Sequence, residues 1–124
     1  MSLLLDTHVV LWWLADTPDL SDEVKDRLDH EPDVRVSAAT IWEISIKQAI
    51  GKIGGPSDLA ESIRRSGFRE LHIGFAHAAT AGQLPLIHRD PFDRMLVAQA
   101  ICEGLTLVTR NEQCQKYDVP IMQA

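Results

Sequence analysis

Short apolar runs alternate along the chain with longer stretches in which apolar residues recur every three or four positions. "SLLLD" is an apolar run of strand length ending at Asp6, and "THVVLWWLAD" after it predicts a helix that closes before Pro18. Ser21 caps a second predicted helix, whose first turn holds Asp22 and Glu23, charges suited to the positive end of a helix dipole. "DVRVS" predicts a second strand, Ser37 a cap, and "AATIWEISIKQAI" a third helix ending near Gly51. Gly54, Gly55 and Pro56 predict a turn. Ser57 to Ser66 predicts a helix ending at Gly67, "RELHI" a strand, and Phe75 to Gly82 a short helix before Leu84 and Pro85. Asp90 opens the long helix of "DPFDRMLVAQA", which stops at Gly104 and leads into "LTLVT", a run of strand formers. A short helix and a last apolar "VPIM" follow. Strands alternating with helices, without repeats, predict an α/β fold with a mainly parallel central sheet flanked by helices. Ligands of such sheets sit at the carboxyl ends of the strands, which singles out Asp6 and the turn of Thr109, Arg110 and Asn111.

Composition narrows this picture. A length of 124 residues with 45% hydrophobic content suits one domain, 1–124, with a core able to hold a site. The net charge of −6 argues against a sequence-tolerant nucleic-acid binder with a basic stripe. It leaves room for an enzyme that meets nucleic acid through metal ions, because bound cations reverse the local field. Two cysteines, Cys102 and Cys114, give neither a disulfide framework nor a metal-ligand spacing, so a reduced cytoplasmic setting is expected. The N-terminal apolar run is broken by Asp6 and His8, and no window approaches 18 apolar residues, so neither a signal peptide nor a membrane span is expected.

Three acids fall on apolar surroundings. Asp6 ends a buried strand. Glu43 shares a helical stripe with Ala39, Ile46 and Ile50, and Asp93 shares one with Val97 and Ala100. Inward carboxylates repel one another and raise each other's pKa unless a cation joins them, and oxygen-only ligands select Mg²⁺ or Mn²⁺ over zinc. Each acid also has a structural reading. Asp90, Pro91 and Asp93 have the layout of an N-cap, a first-turn proline and a first-turn acid, and Lys47 follows Glu43 at the spacing of a surface ion pair. Asp90 is assigned chiefly to the cap, with an orienting role near a metal as its alternative.

With those residues in place, "LLLDTHVVLWWL", "SAATIWEISIK", "HRDPFDRMLVAQA" and "LTLVTRN", in this order, resemble a PIN-domain ribonuclease of the VapC type, the toxin half of a toxin–antitoxin pair. The resemblance runs from Leu3 to about Val119. It implies a small parallel-sheet α/β fold and divalent-metal-dependent cleavage of RNA, with products carrying a 5′-phosphate and a 3′-hydroxyl. The family's acids fall on Asp6, Glu43 and Asp93, the implied metal ligands. A fourth position, often Asp in the family, is Asn111, so the implied catalytic set is Asp6, Glu43, Asp93 and Asn111. Asn offers a carbonyl oxygen but one charge fewer, and a second ion is expected to be held more weakly. Thr7, Thr109 and Asn111 are expected to orient ligands, and Arg94, Arg110 and Lys47 to meet phosphates or solvent. The resemblance also implies a homodimer and a VapB-type antitoxin that covers a hydrophobic groove and reaches the acidic site.

His8 is assigned a structural role, and His30, His72, His77 and His88 form no metal-ligand spacing. Trp12, Trp13 and Trp42 are expected in the core, with one of the adjacent pair meeting another chain. Two other functions share parts of the pattern. A receiver-like phosphoacceptor domain needs an acid pair after the first strand and a lysine after a late one; here Asp6 stands alone and "LVTRN" has no lysine. A catalytically weakened PIN-like domain that acts by binding its partner or RNA draws its support from Asn111.

Overall fold

The computed structural model describes residues 1–124. Five strands, β1 (Leu3–Leu5), β2 (Val34–Ser37), β3 (Arg69–Leu71), β4 (Thr106–Thr109) and β5 (Ile121–Gln123), form one sheet in the order β3-β2-β1-β4-β5. Every neighbouring pair is parallel, as the alternation of elements predicts. Six helices complete the fold: α1 (Thr7–Ala15), α2 (Asp22–His30), α3 (Ala38–Ala49), α4 (Leu59–Arg65), α5 (Phe75–Gln83) and α6 (Pro91–Glu103). A 3₁₀ turn covers Cys114–Lys116. No helix is long and apolar enough to cross a membrane.

The central strand β1 is a continuous apolar run because the sheet there is covered on both faces. Successive side chains point to opposite sides, so Leu3 and Leu5 join Val9, Val24, Ile44 and Ile63 in one cluster. Leu4 joins Leu107, Leu96, Val97 and Tyr117 in the other. Helices α1 to α4 thus cover one face and α6 the other, with α5 packed on α6. Each leucine fully buried in this way contributes roughly 1.5–3 kcal/mol. The helix starts are set by side chains: Asp6, Ser21, Ser37, Asp58 and Asp90 each accept from a backbone N–H of the first turn that follows.

Several expectations are corrected. The third strand stops at Leu71 instead of Ile73, because its one partner, β2, ends at Ser37, which pairs with Leu71 and then caps α3. The fourth helix begins at Leu59, capped by Asp58, two residues after the predicted start. Glu43 is buried, but Ile46 and Ile50 are exposed: the buried residues of α3 are Ala39, Thr40, Glu43 and Ile44, all within its first two turns. Trp42 lies outside the core at 63% exposure, edge-on to Phe92 with ring centroids 5.2 Å apart. Trp12 and Trp13 are both half-covered by the chain itself, Trp12 beneath the Arg110 guanidinium at 4.4 Å and Trp13 against Phe68 at 5.1 Å.

The connection from α5 to α6 is held by Arg94. Its Nη1 donates to the carbonyls of Pro85 (3.1 Å) and His88 (3.3 Å) and to the Tyr117 hydroxyl (3.3 Å). Its Nη2 donates to the carbonyls of Ala81 (2.8 Å) and Leu84 (3.1 Å). This guanidinium is a brace for the loop, not a phosphate ligand. Arg110 is committed likewise, to the carbonyls of Ala124 and Asp19. Substituting Arg94→Ala strands these acceptors and is expected to lower stability by about 2–3 kcal/mol. A urea melt reads this as a lower midpoint at unchanged slope; an unmoved midpoint contradicts the brace.

Candidate active site

In the order β3-β2-β1-β4-β5 the chain leaves β1 toward one edge through β2 and β3 and returns to fill the other through β4 and β5. The crevice between the carboxyl ends of β1 and β4 is therefore the switch point at which open parallel sheets take their ligands. Leu5 pairs with Val108 there, so the next residues along each strand, Asp6 and Thr109, stand side by side. Helix α1 starts at this edge after β1, and α3 starts after β2. Because α6 leads back to the start of β4, its amino terminus, with Asp90 and Asp93, lies at the same edge.

Asp6 is 4% exposed and held from two sides. Its Oδ1 accepts from the Val9 N–H at 2.9 Å, the cap of α1, and its Oδ2 accepts from the Thr109 hydroxyl. Thr109 Oγ1 in turn accepts from the Asn111 N–H at 3.0 Å. Glu43, 7% exposed, accepts from the Thr7 hydroxyl at 2.6 Å on Oε1 and from Lys47 Nζ at 3.1 Å on Oε2. The Thr7 hydroxyl also meets the Thr40 hydroxyl at 3.4 Å. Thr7 and Thr109 thus orient carboxylates, and the Glu43–Lys47 ion pair exists beside that role.

Asp93 is half-buried. Its Oδ2 lies 2.8 Å from His88 Nε2 and 3.4 Å from Asn111 Nδ2. Asp90 keeps to its cap, with Oδ1 accepting from the N–H groups of Phe92 (2.9 Å) and Asp93 (3.2 Å). The Asn111 carbonyl oxygen accepts from the N–H groups of Gln113 (2.8 Å) and Cys114 (3.3 Å), closing the turn after β4. His88 escapes sequence reasoning because it sits in an irregular loop, where neither strand nor helix periodicity gives it a direction. One signal was available, a histidine five residues before Asp93 in "HRDPFD". His8, by contrast, is exposed, with its ring 5.9 Å from that of Trp12.

The acids feel one another. Burial raises the Asp6 pKa above its ordinary 3.8, opposed by the Thr109 and Val9 hydrogen bonds and by the field of His8, and assisted by the charge of Glu43. Burial also raises Asp93, opposed by the His88 hydrogen bond and assisted by the charges of Asp90 and Glu43. The buried thiol of Cys114 is pushed up to about 12, by burial first and then by Asp93, Asp6 and Asp90, so it stays protonated and unreactive. The closest group of ligand atoms is His88, Asp90 and Asp93, within 4.8 Å of one another; Asp6, Glu43 and Asp93 are linked by their fields instead of by so close an approach. Asp6 and Asp93, raised chiefly by burial, together with the buried Glu43, offer carboxylate oxygens, those of Asp6 and Glu43 oriented by hydroxyls, and such a donor set suits a hard divalent cation.

An all-parallel α/β sheet with carboxylates gathered at its switch point defines the class to which comparison with known proteins leads. The PIN domain family matches residues 3–120. The chain is 32% identical over 127 residues to Ribonuclease VapC22 of Mycobacterium tuberculosis, a match covering 96% of this chain and 94% of the relative. Among solved structures, DNA-bound VapBC from Salmonella typhimurium is similar with a TM-score of 0.74 at 19% identity, covering 98% of this chain and 97% of that one. FitAcB from Neisseria gonorrhoeae is similar with a TM-score of 0.69 at 25% identity, covering 98% and 96%. The chain belongs to the PIN-domain family and, within it, to the VapC-type toxins of toxin–antitoxin systems.

The raised pKa values set a pH dependence for the metal-free protein. An acid whose folded pKa lies above its unfolded value binds its proton more tightly when folded, so stability falls as pH rises through the window from 3.8 to the raised folded value and stays reduced above it. Asp6→Asn is expected to make the metal-free protein more stable at pH 7 and to flatten this slope. Thermal melts from pH 4 to 7 in chelator test this; a wild-type midpoint that climbs steadily over that range contradicts it.

Proposed function

We propose that the protein is a divalent-metal-dependent endoribonuclease, the toxin component of a VapBC-type pair, that hydrolyses RNA phosphodiester bonds. The observation that carries this reading is the pairing of two buried acids with two threonine hydroxyls, Thr109 on Asp6 and Thr7 on Glu43, at the switch point of the sheet and facing Asp93. Asp6, Glu43 and Asp93 would hold Mg²⁺ or Mn²⁺, and such an ion, when bound, activates water and offsets charge on the scissile phosphate. The two threonines fix the directions of Asp6 and Glu43, and loading would draw Asp93 and these two acids closer together than they stand in the metal-free protein. Lys47, partly exposed beside Glu43, brings a positive charge to the rim where an RNA backbone would pass. Trp42, 63% exposed, meets the ring of Phe92, the residue before Asp93, and unpaired bases stack on exposed aromatic rings of this kind.

The proposed partners are RNA, a cognate VapB-type antitoxin and a second copy of the chain. A groove of about 270 Å³ lined by Val36, Ile41, Trp42, Ile63 and Phe68 gives an apolar antitoxin segment a place to lie. The proposed setting is the cytoplasm, in keeping with two free cysteines. The rival reading, a weakened domain that binds without strong cleavage, draws on the amide of Asn111, which stands beside Asp93 in place of a further acid.

Cleavage of RNA by the partner-free protein across Mg²⁺ and Mn²⁺ concentrations separates the two. Metal-dependent cutting is expected, reduced at least about 100-fold in Asp6→Asn, which corresponds to about 2.7 kcal/mol of barrier. No cutting at any metal concentration would favour the rival. Asp93→Asn is expected to fall as far as Asp6→Asn while remaining folded. Asp90→Asn, which keeps a capping side chain, stays within about tenfold of wild type. Equal losses at positions 90 and 93 contradict this division of roles.

A further inference from the structure

We infer that His88 and Asn111 act as a two-donor clamp on a single oxygen of Asp93, so that this acid presents only its other oxygen to a metal ion. The inference rests on the metal site of the proposed function. Both donors converge on Oδ2, His88 Nε2 at 2.8 Å and Asn111 Nδ2 at 3.4 Å, and neither bonds Oδ1. To donate, the imidazole carries its proton on Nε2. A carboxylate fixed through one oxygen points its free oxygen in one direction.

Each donor is locked by its own surroundings. The His88 N–H donates to the Tyr117 hydroxyl at 3.0 Å and the His88 carbonyl accepts from Arg94 at 3.3 Å, so the backbone carrying the ring is tied on both sides. The Tyr117 hydroxyl donates onward to the Pro85 carbonyl at 3.0 Å. The Asn111 carbonyl oxygen closes the turn after β4 by accepting from Gln113 and Cys114, which leaves the NH₂ end toward Asp93. An aspartate at position 111 would close the same turn but set its second oxygen against Asp93, and would repel the acid that the amide holds. Asparagine at this place therefore exchanges a ligand for a donor. Asp90, the third member of the closest group of ligand atoms, is committed through Oδ1 to the cap of α6. His88 accordingly serves as a positioning residue, and its separation from Asp93 is that of an N–H···O bond to a carboxylate.

The test is Mn²⁺ binding to the full chain, measured by electron paramagnetic resonance, with Mg²⁺ as competitor. His88→Ala is expected to weaken Mn²⁺ and Mg²⁺ by the same factor, about tenfold, the scale of outer hydrogen bonds to metal ligands. His88→Gln, whose amide brings a donor near the place of Nε2, recovers most of the loss. Asn111→Ser, which still caps the turn but does not reach Asp93, falls in the same direction and keeps the test open if His88→Ala fails to fold. Unchanged affinity in a folded His88→Ala overturns the clamp. So does a directly bound imidazole nitrogen in the pulsed spectrum of the wild type, which makes His88 a ligand. If the wild type binds neither ion, the proposed metal site fails and the clamp fails with it; loss of the clamp alone leaves that site standing.

Discussion

A carboxylate taken out of water must be met by donors or by a cation, and Asp6 organises the rest of the structure around that requirement. It is at once the residue after β1, the cap of α1 and the acceptor of the Thr109 hydroxyl at the end of β4. Strand register and site geometry are therefore one constraint. A slip of one residue between β1 and β4 would turn Thr109 away from Asp6 and send Leu4 to the wrong core.

What distinguishes the site from ordinary helix capping is where the cost of burial goes. Ser21 and Asp58 cap α2 and α4 from exposed positions and need no further partner. Asp6, Glu43 and Asp93 are drawn inward until the charge of Glu43 acts on both aspartates, and those of Asp6 and Asp93 on the thiol of Cys114. Helices α1, α3 and α6 all begin at this edge, and their positive ends offset part of that repulsion. A divalent cation held there, as proposed, would offset more, and this is where membership of the PIN-domain family meets the chemistry of the chain's own residues. The braces behind the site are polar and remote in sequence: Arg94 holds the loop that carries His88, and His88 meets Asp93.

Much of this was legible in the sequence because it is local. The leucine run before Asp6, the spacing of Asp90, Pro91 and Asp93, and Gly104 after the long helix each act within one turn or one strand, and the structure places their elements as predicted. The PIN resemblance was equally legible, since its motifs are short and keep their order. What escaped depends on contacts between distant elements. Helical spacing put Ile46 and Ile50 with Glu43 but did not say that the cover of α3 ends after two turns. Hydrophobicity put Trp42 in the core, whereas it is exposed and stands edge-on to Phe92. The charge of Arg94 suggested phosphate, and only the fold revealed carbonyls arranged around it. His88 lay in a loop, where no periodicity pointed it at Asp93.

The central claim is that Asp6, Glu43 and Asp93 share one cation. Anomalous diffraction from crystals of the chain equilibrated with Mn²⁺ addresses it most directly. The account predicts an anomalous peak in contact with oxygens of all three carboxylates, touching Asp93 through Oδ1. A peak held by His88 and Asp90 away from Asp6 and Glu43, or no peak at the carboxyl ends of β1 and β4, would contradict it.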